Sequence, residues 1–175
     1  MVDFMIICDI LADFPGSPTA LADRGLEDKL RHAASSHGLY IPSGALWGGE
    51  DIRKMAERGA LRALTVTMTK HPAAFKLSGR LKELNDAVGE GGPVELYNGP
   101  VRGLCPLAPN NVNTMAAAAI AAVNLGLDGT VGRLVADPGL PDWHLVEVEV
   151  AGPVMEGGRQ FQVGGNILNK IWENV

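Results

Sequence analysis

Residues 143–150, WHLVEVEV, alternate in character with a period of two. Three valines would point to one face of a strand, and Leu145 with two glutamates would point to the other. This alternation is typical of a β-strand with one face against a core and the other facing outward. The segment therefore predicts a sheet that is covered on one side.

Further strands are predicted on both sides of this segment. Residues 61–69 alternate between apolar residues and threonine, residues 94–97 and 130–137 are short strands, and a Gly-Pro and Gly-Gly turn leads into residues 159–163. Residues 73–93 are polar and glycine-rich, which predicts a surface excursion, and residues 114–125 predict a helix. We expect an open mixed β-sheet with helices on one face.

The first 60 residues have a different pattern. An apolar run at residues 4–11 predicts a buried strand, and helical spacing follows over residues 17–37. A short strand at residues 39–42, a glycine-rich loop at 43–49 and a helix at 50–58 complete the segment. This order indicates a partial Rossmann-type unit with parallel pairing, so the fold class is α/β (α+β).

Composition excludes several classes of function. The 175 residues carry a formal net charge of -5, without the basic stripe that nucleic-acid binding requires. No run approaches the roughly 18–20 apolar residues of a membrane span. Cys8 and Cys105 show no pairing or metal-binding spacing, so we expect no disulfide, no metal site and a reduced, cytoplasmic setting.

Residues 109–119, PNNVNTMAAAA, form the first stretch that could carry chemistry. The start of a helix offers free backbone donors and a partial positive charge, and Asn111 or Asn113 could reach an amide-bearing ligand. The four alanines allow close packing against the first turns. In the alternative interpretation, one of the two asparagines simply caps the helix.

Residues 137–144, DPGLPDWH, form the second stretch. The turn places His144 at the start of a strand, and histidine is the side chain best suited to move protons near neutral pH. A preceding aspartate could orient the ring. The alternative is a surface histidine, with Asp142 capping the turn.

These two stretches, together with residues 96–108 (LYNGPVRGLCPLA), resemble the C-terminal domain of the L-aspartate dehydrogenase family. The resemblance also includes residues 16–23 (GSPTALAD), 42–48 (PSGALWG) and 66–72 (VTMTKHP), and it extends from about residue 16 to about residue 163. It implies oxidation of L-aspartate by NAD or NADP to iminoaspartate, which water converts to oxaloacetate and ammonia. It also implies a homo-oligomer.

The resemblance assigns roles to particular residues. It implies that His144 is the catalytic residue and that Ala45 contacts the dinucleotide. One asparagine of the pair Asn111 and Asn113 would also contact the cofactor, and the sequence leaves the choice open. A dicarboxylate substrate needs cations or donors, and the candidates by residue type alone are Lys70, His71 and Arg102.

The chain also departs from the family pattern. It contains no Gly-x-Gly-x-x-Gly turn, which would hold a pyrophosphate at a helix N-terminus. We expect residues 1–60 to be a remnant of the dinucleotide-binding domain, residues 61–163 the catalytic and oligomerisation domain, and residues 164–175 a divergent tail. Cofactor affinity should then be low, and the alternative function is that of an oligomerisation or interaction module.

Overall fold

The computed structural model describes residues 17–35, 41, 46–141 and 143–166, and the backbone of residues 167–170. The strands predicted at residues 4–11 and 39–42 lie outside this set, apart from residue 41. Ala45 and Asp142 also lie outside it.

Five strands form one mixed sheet in the order β2-β3-β1-β4-β5. They are β1 (Ala63–Lys70), β2 (Val94–Pro100), β3 (Val131–Ala136), β4 (Trp143–Val154) and β5 (Gln160–Lys170). β1 and β3 are parallel, whereas β1 with β4, β2 with β3, and β4 with β5 are antiparallel. The predicted open mixed sheet is confirmed. β5 extends past residue 163, where the sequence predicted its end, because it pairs with β4 as far as Lys170 opposite Trp143.

The described part of the chain has six helices in addition to the strands. They are α1 (Arg24–Ala33), α2 (Gly49–Glu57), α3 (Gly79–Asp86), α4 (Val101–Leu104), α5 (Asn113–Ala121) and α6 (Gly126–Gly129). Short 3-10 turns span Pro18–Ala22 and Pro72–Ala74. Asp23 separates the first turn from α1, because its Oδ1 accepts a hydrogen bond from the Leu26 N–H at 2.8 Å and caps the helix.

The structure adds detail to two sequence predictions. The surface excursion predicted at residues 73–93 contains α3, which the sequence analysis did not predict and which buries Leu81. The helix predicted over residues 114–125 begins at Asn113 and ends at Ala121, and α6 then begins at Gly126, whose backbone φ is positive.

One face of the sheet carries the core. Leu64, Val66 and Met68 of β1 share this face with Leu134 and Val146 on the neighbouring strands, all within one buried cluster. The buried side chains of the helices belong to the same cluster, whereas Val131, Val135 and Leu145 on the opposite face lie outside it. The expectation of helices on one face is confirmed.

Residues before the predicted boundary at residue 60 belong to the same core. Leu21, Ile52 and Ala56 are buried in the cluster that contains Leu61 and Leu64. The residues before and after position 60 therefore pack into one core. No helix in the described ranges has the length and apolar character needed to cross a membrane.

Candidate functional site

A polar pair continues the core face of the sheet beyond its last apolar row. Met68 lies opposite Val146 across β1 and β4, and two residues further along the same face Lys70 lies opposite His144. Directly opposed residues of antiparallel strands have Cβ atoms about 4.5–5.5 Å apart. On the other side of Lys70 stands the small Ala136 of β3. The end of the sheet therefore brings a cation and an imidazole together.

The surroundings of His144 favour its neutral form. Burial lowers the pKa of His144 below its usual 6.5, and the nearby positive charge of Lys70 lowers it further. Both effects disfavour a second positive charge at this place. A neutral imidazole can accept a proton, so the site can supply a base at neutral pH.

Asn111 is held tightly beside this pair. Its Oδ1 accepts a hydrogen bond from Lys70 Nζ at 3.4 Å, and its Nδ2 donates to the carbonyl of Lys76 at 2.9 Å. The side chain is only 5% exposed. Both ends of the amide are thus engaged within the protein.

Asn113 has a different environment. It is the exposed first residue of α5, and its Oδ1 accepts a hydrogen bond from Ser17 Oγ. Thr19 of the same turn donates from Oγ1 to the Pro109 carbonyl at 3.3 Å. The cap position of α5 belongs to Val112, so neither asparagine caps this helix, and that alternative interpretation was wrong. No sequence pattern predicts the contact with Ser17, because it joins residues 96 positions apart.

The other two candidate cations lie in different surroundings. His71 Nδ1 accepts a hydrogen bond from the Ala73 N–H at 3.2 Å and so caps the 3-10 turn after β1. Arg102 donates to the carbonyls of Leu21 and Ala22 and to the carboxylates of two acidic residues, Glu27 and Asp128. Of the three candidates, the structure brings Lys70 alone into register with His144.

The larger of two described cavities, about 650 Å³, lies away from this pair. It opens between α1, α2 and the second half of α5, and its lining includes Leu46, Gly48 and Gly49 from the loop that contains Ala45. Lys70 and His144 do not line it. The cavity therefore lies beside the second half of α5, whereas Lys70 contacts Asn111 before its start, and the nine residues of α5 extend about 13 Å at 1.5 Å per residue.

Comparisons with known proteins agree on one family. Residues 51–166 match the family described as aspartate dehydrogenase, C-terminal. An aspartate dehydrogenase domain-containing protein of Xenopus tropicalis is 62% identical over 85% of this chain and 53% of its own length. An L-aspartate dehydrogenase of Methanococcoides burtonii is 31% identical over 81% of this chain and 52% of its own length.

A comparison with solved structures shows a similar fold. The crystal structure of an aspartate dehydrogenase from Thermotoga maritima superimposes with a TM-score of 0.61 at 19% identity, covering 83% of this chain and 55% of that one. The chain spans about half the length of the curated relatives that it matches. On the match over residues 51–166 and the identity to these relatives, the chain belongs to the aspartate dehydrogenase family.

Proposed function

We propose that this chain contributes the catalytic site of an L-aspartate dehydrogenase that uses NAD or NADP. The observation that carries the proposal is the pairing of His144 with Lys70 at the end of the sheet, in a chain that matches the family over residues 51–166. The reaction would convert L-aspartate to iminoaspartate, and water would then release oxaloacetate and ammonia.

His144 would act as the base. The α-ammonium group of the substrate must lose a proton before the neighbouring C–H bond is broken, because the amine lone pair stabilises the carbon that loses hydride. A neutral imidazole can take that proton and, once it has released the proton to solvent, can accept a second one from the water that attacks the imine. A nicotinamide ring, when bound, supplies the hydride acceptor.

Asn113 and Ala45 are our candidates for contacts with the dinucleotide. The exposed amide of Asn113 can both donate and accept hydrogen bonds, which suits a carboxamide, whereas the buried Asn111 is already engaged at both ends. The sequence has no Gly-x-Gly-x-x-Gly turn for the pyrophosphate. The exposed Asn113 therefore fits the amide-bearing end of the cofactor.

Substitution of His144 tests this proposal. We expect His144→Ala to lower aspartate-dependent formation of NADH or NADPH, followed by absorbance, by about 10²–10⁴-fold. The matched control is His32→Ala, which removes an exposed histidine of α1 and should leave the rate unchanged. Turnover that survives His144→Ala would contradict the assignment.

The pH dependence of the rate gives a second readout of the same role. Because the pKa of His144 is lowered, the base is deprotonated at pH 7 and becomes protonated as the pH falls through a value below 6.5. We therefore expect kcat/KM to decline on the acid side below pH 6.5. A decline centred above pH 7 would point to a different base.

A second candidate function is that of an oligomerisation module. Val131, Val135 and Leu145 lie on the sheet face outside the core, where a second copy of the chain could cover them. Sedimentation analysis tests this proposal. A monomer at all accessible concentrations would rule it out.

A further inference from the structure

The side chain of Lys70 has unusual surroundings for a lysine. It occupies a core-face position in β1, after Leu64, Val66 and Met68. Its charge is held partly out of water, and this burial lowers the pKa of Lys70 below its usual 10.5. Such a charge normally has a counter-ion nearby.

The described part of the chain provides no such counter-ion. Lys70 forms no salt bridge with any carboxylate in the described residues, and its polar contact there is with the neutral Asn111 Oδ1 at 3.4 Å. The ring centre of Phe75 lies 6.0 Å from Nζ, at the limit of a cation–π contact. Asp137 follows β3 and donates its backbone N–H to the Lys70 carbonyl at 2.8 Å, but its carboxylate forms no salt bridge with Lys70. Among the described residues, the ammonium group therefore has no carboxylate partner.

We propose that Lys70 is the cation that binds a carboxylate of the amino-acid substrate, on the same row of the sheet as the base His144. This inference rests on the proposed function and adds to it the residue that selects an anionic substrate. Asn111 would position Lys70, because its amide is fixed by the Lys76 carbonyl and presents oxygen to Nζ. On its other side Lys70 is paired with the buried Ala136 of β3, which brings no charge to the ammonium.

The arrangement also links substrate binding to the strength of the base. With the site empty, the charge of Lys70 lowers the pKa of His144. A bound carboxylate would offset that charge, so the pKa of His144 would rise towards 6.5 and the imidazole would hold a proton more firmly. Binding of the substrate would thus prepare His144 to accept the proton of its ammonium group.

Other described residues also lie near His144. From β1 it faces Lys70, and its register partner on β5 is the uncharged Asn169. His71 follows Lys70 along the chain, and its Nδ1 is engaged by the Ala73 N–H. In the described chain, Lys70 is therefore the charged group whose removal should change the titration of His144.

Succinate is a suitable probe, because it carries two carboxylates and has no amine to oxidise. We would follow the histidine ring signals of the full 175-residue chain by NMR, with succinate and without cofactor, and assign His144 by His144→Gln. We expect saturable binding that Lys70→Met weakens by about tenfold and that Lys70→Arg largely retains. The exposed Lys82, paired with Asp86 on α3, provides the control Lys82→Met, which should bind normally.

The same spectra report on the coupling. Succinate should raise the pKa of His144 in the wild-type chain, and Lys70→Met should raise it without succinate. Equal binding by wild type and Lys70→Met, equal loss in Lys82→Met, or a His144 titration that ignores Lys70 would each overturn the inference. The titration measures binding and not turnover. If succinate binds at Lys70 but the absorbance assay finds no aspartate-dependent rate, the proposed function is refuted and the anion site remains.

Discussion

At the residue scale, the two asparagines before α5 differ in what they can do for a ligand. Asn111 is buried and bridges Lys70 to the Lys76 carbonyl, whereas Asn113 is exposed at the start of the helix. Because a spacing of two residues in an irregular loop does not fix which side chain turns inward, the sequence left the choice between them open. This difference in burial is our reason to propose a supporting role for Asn111 and a ligand-binding role for Asn113.

Substitution of each asparagine should therefore give a different result. Asn111→Ala removes a buried side chain whose amide bonds both Lys70 and the Lys76 carbonyl, and we expect it to lower the free energy of unfolding by about 1–3 kcal/mol. Asn113→Ala removes an exposed amide, so stability should change by less than about 0.5 kcal/mol while NADH affinity falls by up to about tenfold. Urea unfolding and a fluorescence titration with NADH measure the two quantities. The opposite pattern would assign the cofactor contact to Asn111.

The same reasoning explains which site residues the sequence could and could not predict. The place of His144 at the start of β4 followed from the alternating pattern, whereas its catalytic role came from the family resemblance and stays a prediction. Lys70 and Arg102 were equal candidates by residue type, because a sequence shows charge but not the partners that occupy it. In the structure Arg102 is engaged by Glu27 and Asp128, and Lys70 has no carboxylate partner in the described residues.

At the scale of elements, Gly132 shows how closely the helices approach the sheet. A Cβ atom built on Gly132 of β3 would lie 3.1 Å from Met115 Sδ of α5 and 3.3 Å from Leu104 and Val101 side-chain carbons of α4. Those contacts are tighter than ordinary van der Waals packing, and all three neighbours are fully buried. The glycine therefore sets the distance between β3 and the helices above it.

We expect Gly132→Ala to lower the free energy of unfolding by about 1–3 kcal/mol, because the added methyl group overpacks a core that has no room to relax. Gly89 offers a matched control, since a Cβ there meets nothing within 4 Å. Gly89→Ala should change stability by less than about 1 kcal/mol. The two variants are compared by urea unfolding, and equal midpoints would show that β3 and the helices are less closely packed than the structure indicates.

Elements with strong periodicity were the ones that the sequence predicted. Alternation identified β1 and β4 because each has one face in the core. α3 was missed because its eight residues are mostly charged or polar, with Leu81 as its one buried side chain. The extension of β5 to Lys170 could not be predicted, since glycine and asparagine carry little strand preference and the pairing with β4 decides the outcome.

At the scale of the whole molecule, Arg102 connects distant parts of the chain. Its guanidinium donates to the carbonyls of Leu21 and Ala22, to Glu27 at 2.8 Å and to Asp128 at 3.0 Å. The arginine and glutamate side chains are 16% and 15% exposed, so water does little to weaken their attraction. This cluster and the shared core imply that residues before and after position 60 unfold together.

We expect the wild-type chain to unfold in one transition, with coincident curves from tryptophan fluorescence and far-ultraviolet circular dichroism. Arg102→Ala should lower the free energy of unfolding by about 2–3 kcal/mol, whereas Arg53→Ala, which removes an exposed pair with Glu57, should leave it nearly unchanged. Burial works to raise the pKa of Glu27, but hydrogen bonds and attraction from Arg102 and Arg31 outweigh it and hold the pKa below 4.5. The stabilisation from Glu27 is therefore complete above pH 4.5 and is lost as the pH falls through the lowered pKa. Wild-type stability should drop more steeply below pH 4.5 than that of Arg102→Ala. Equal slopes, or two separate transitions in the wild type, would show that Arg102 does not join the two parts into one cooperative unit.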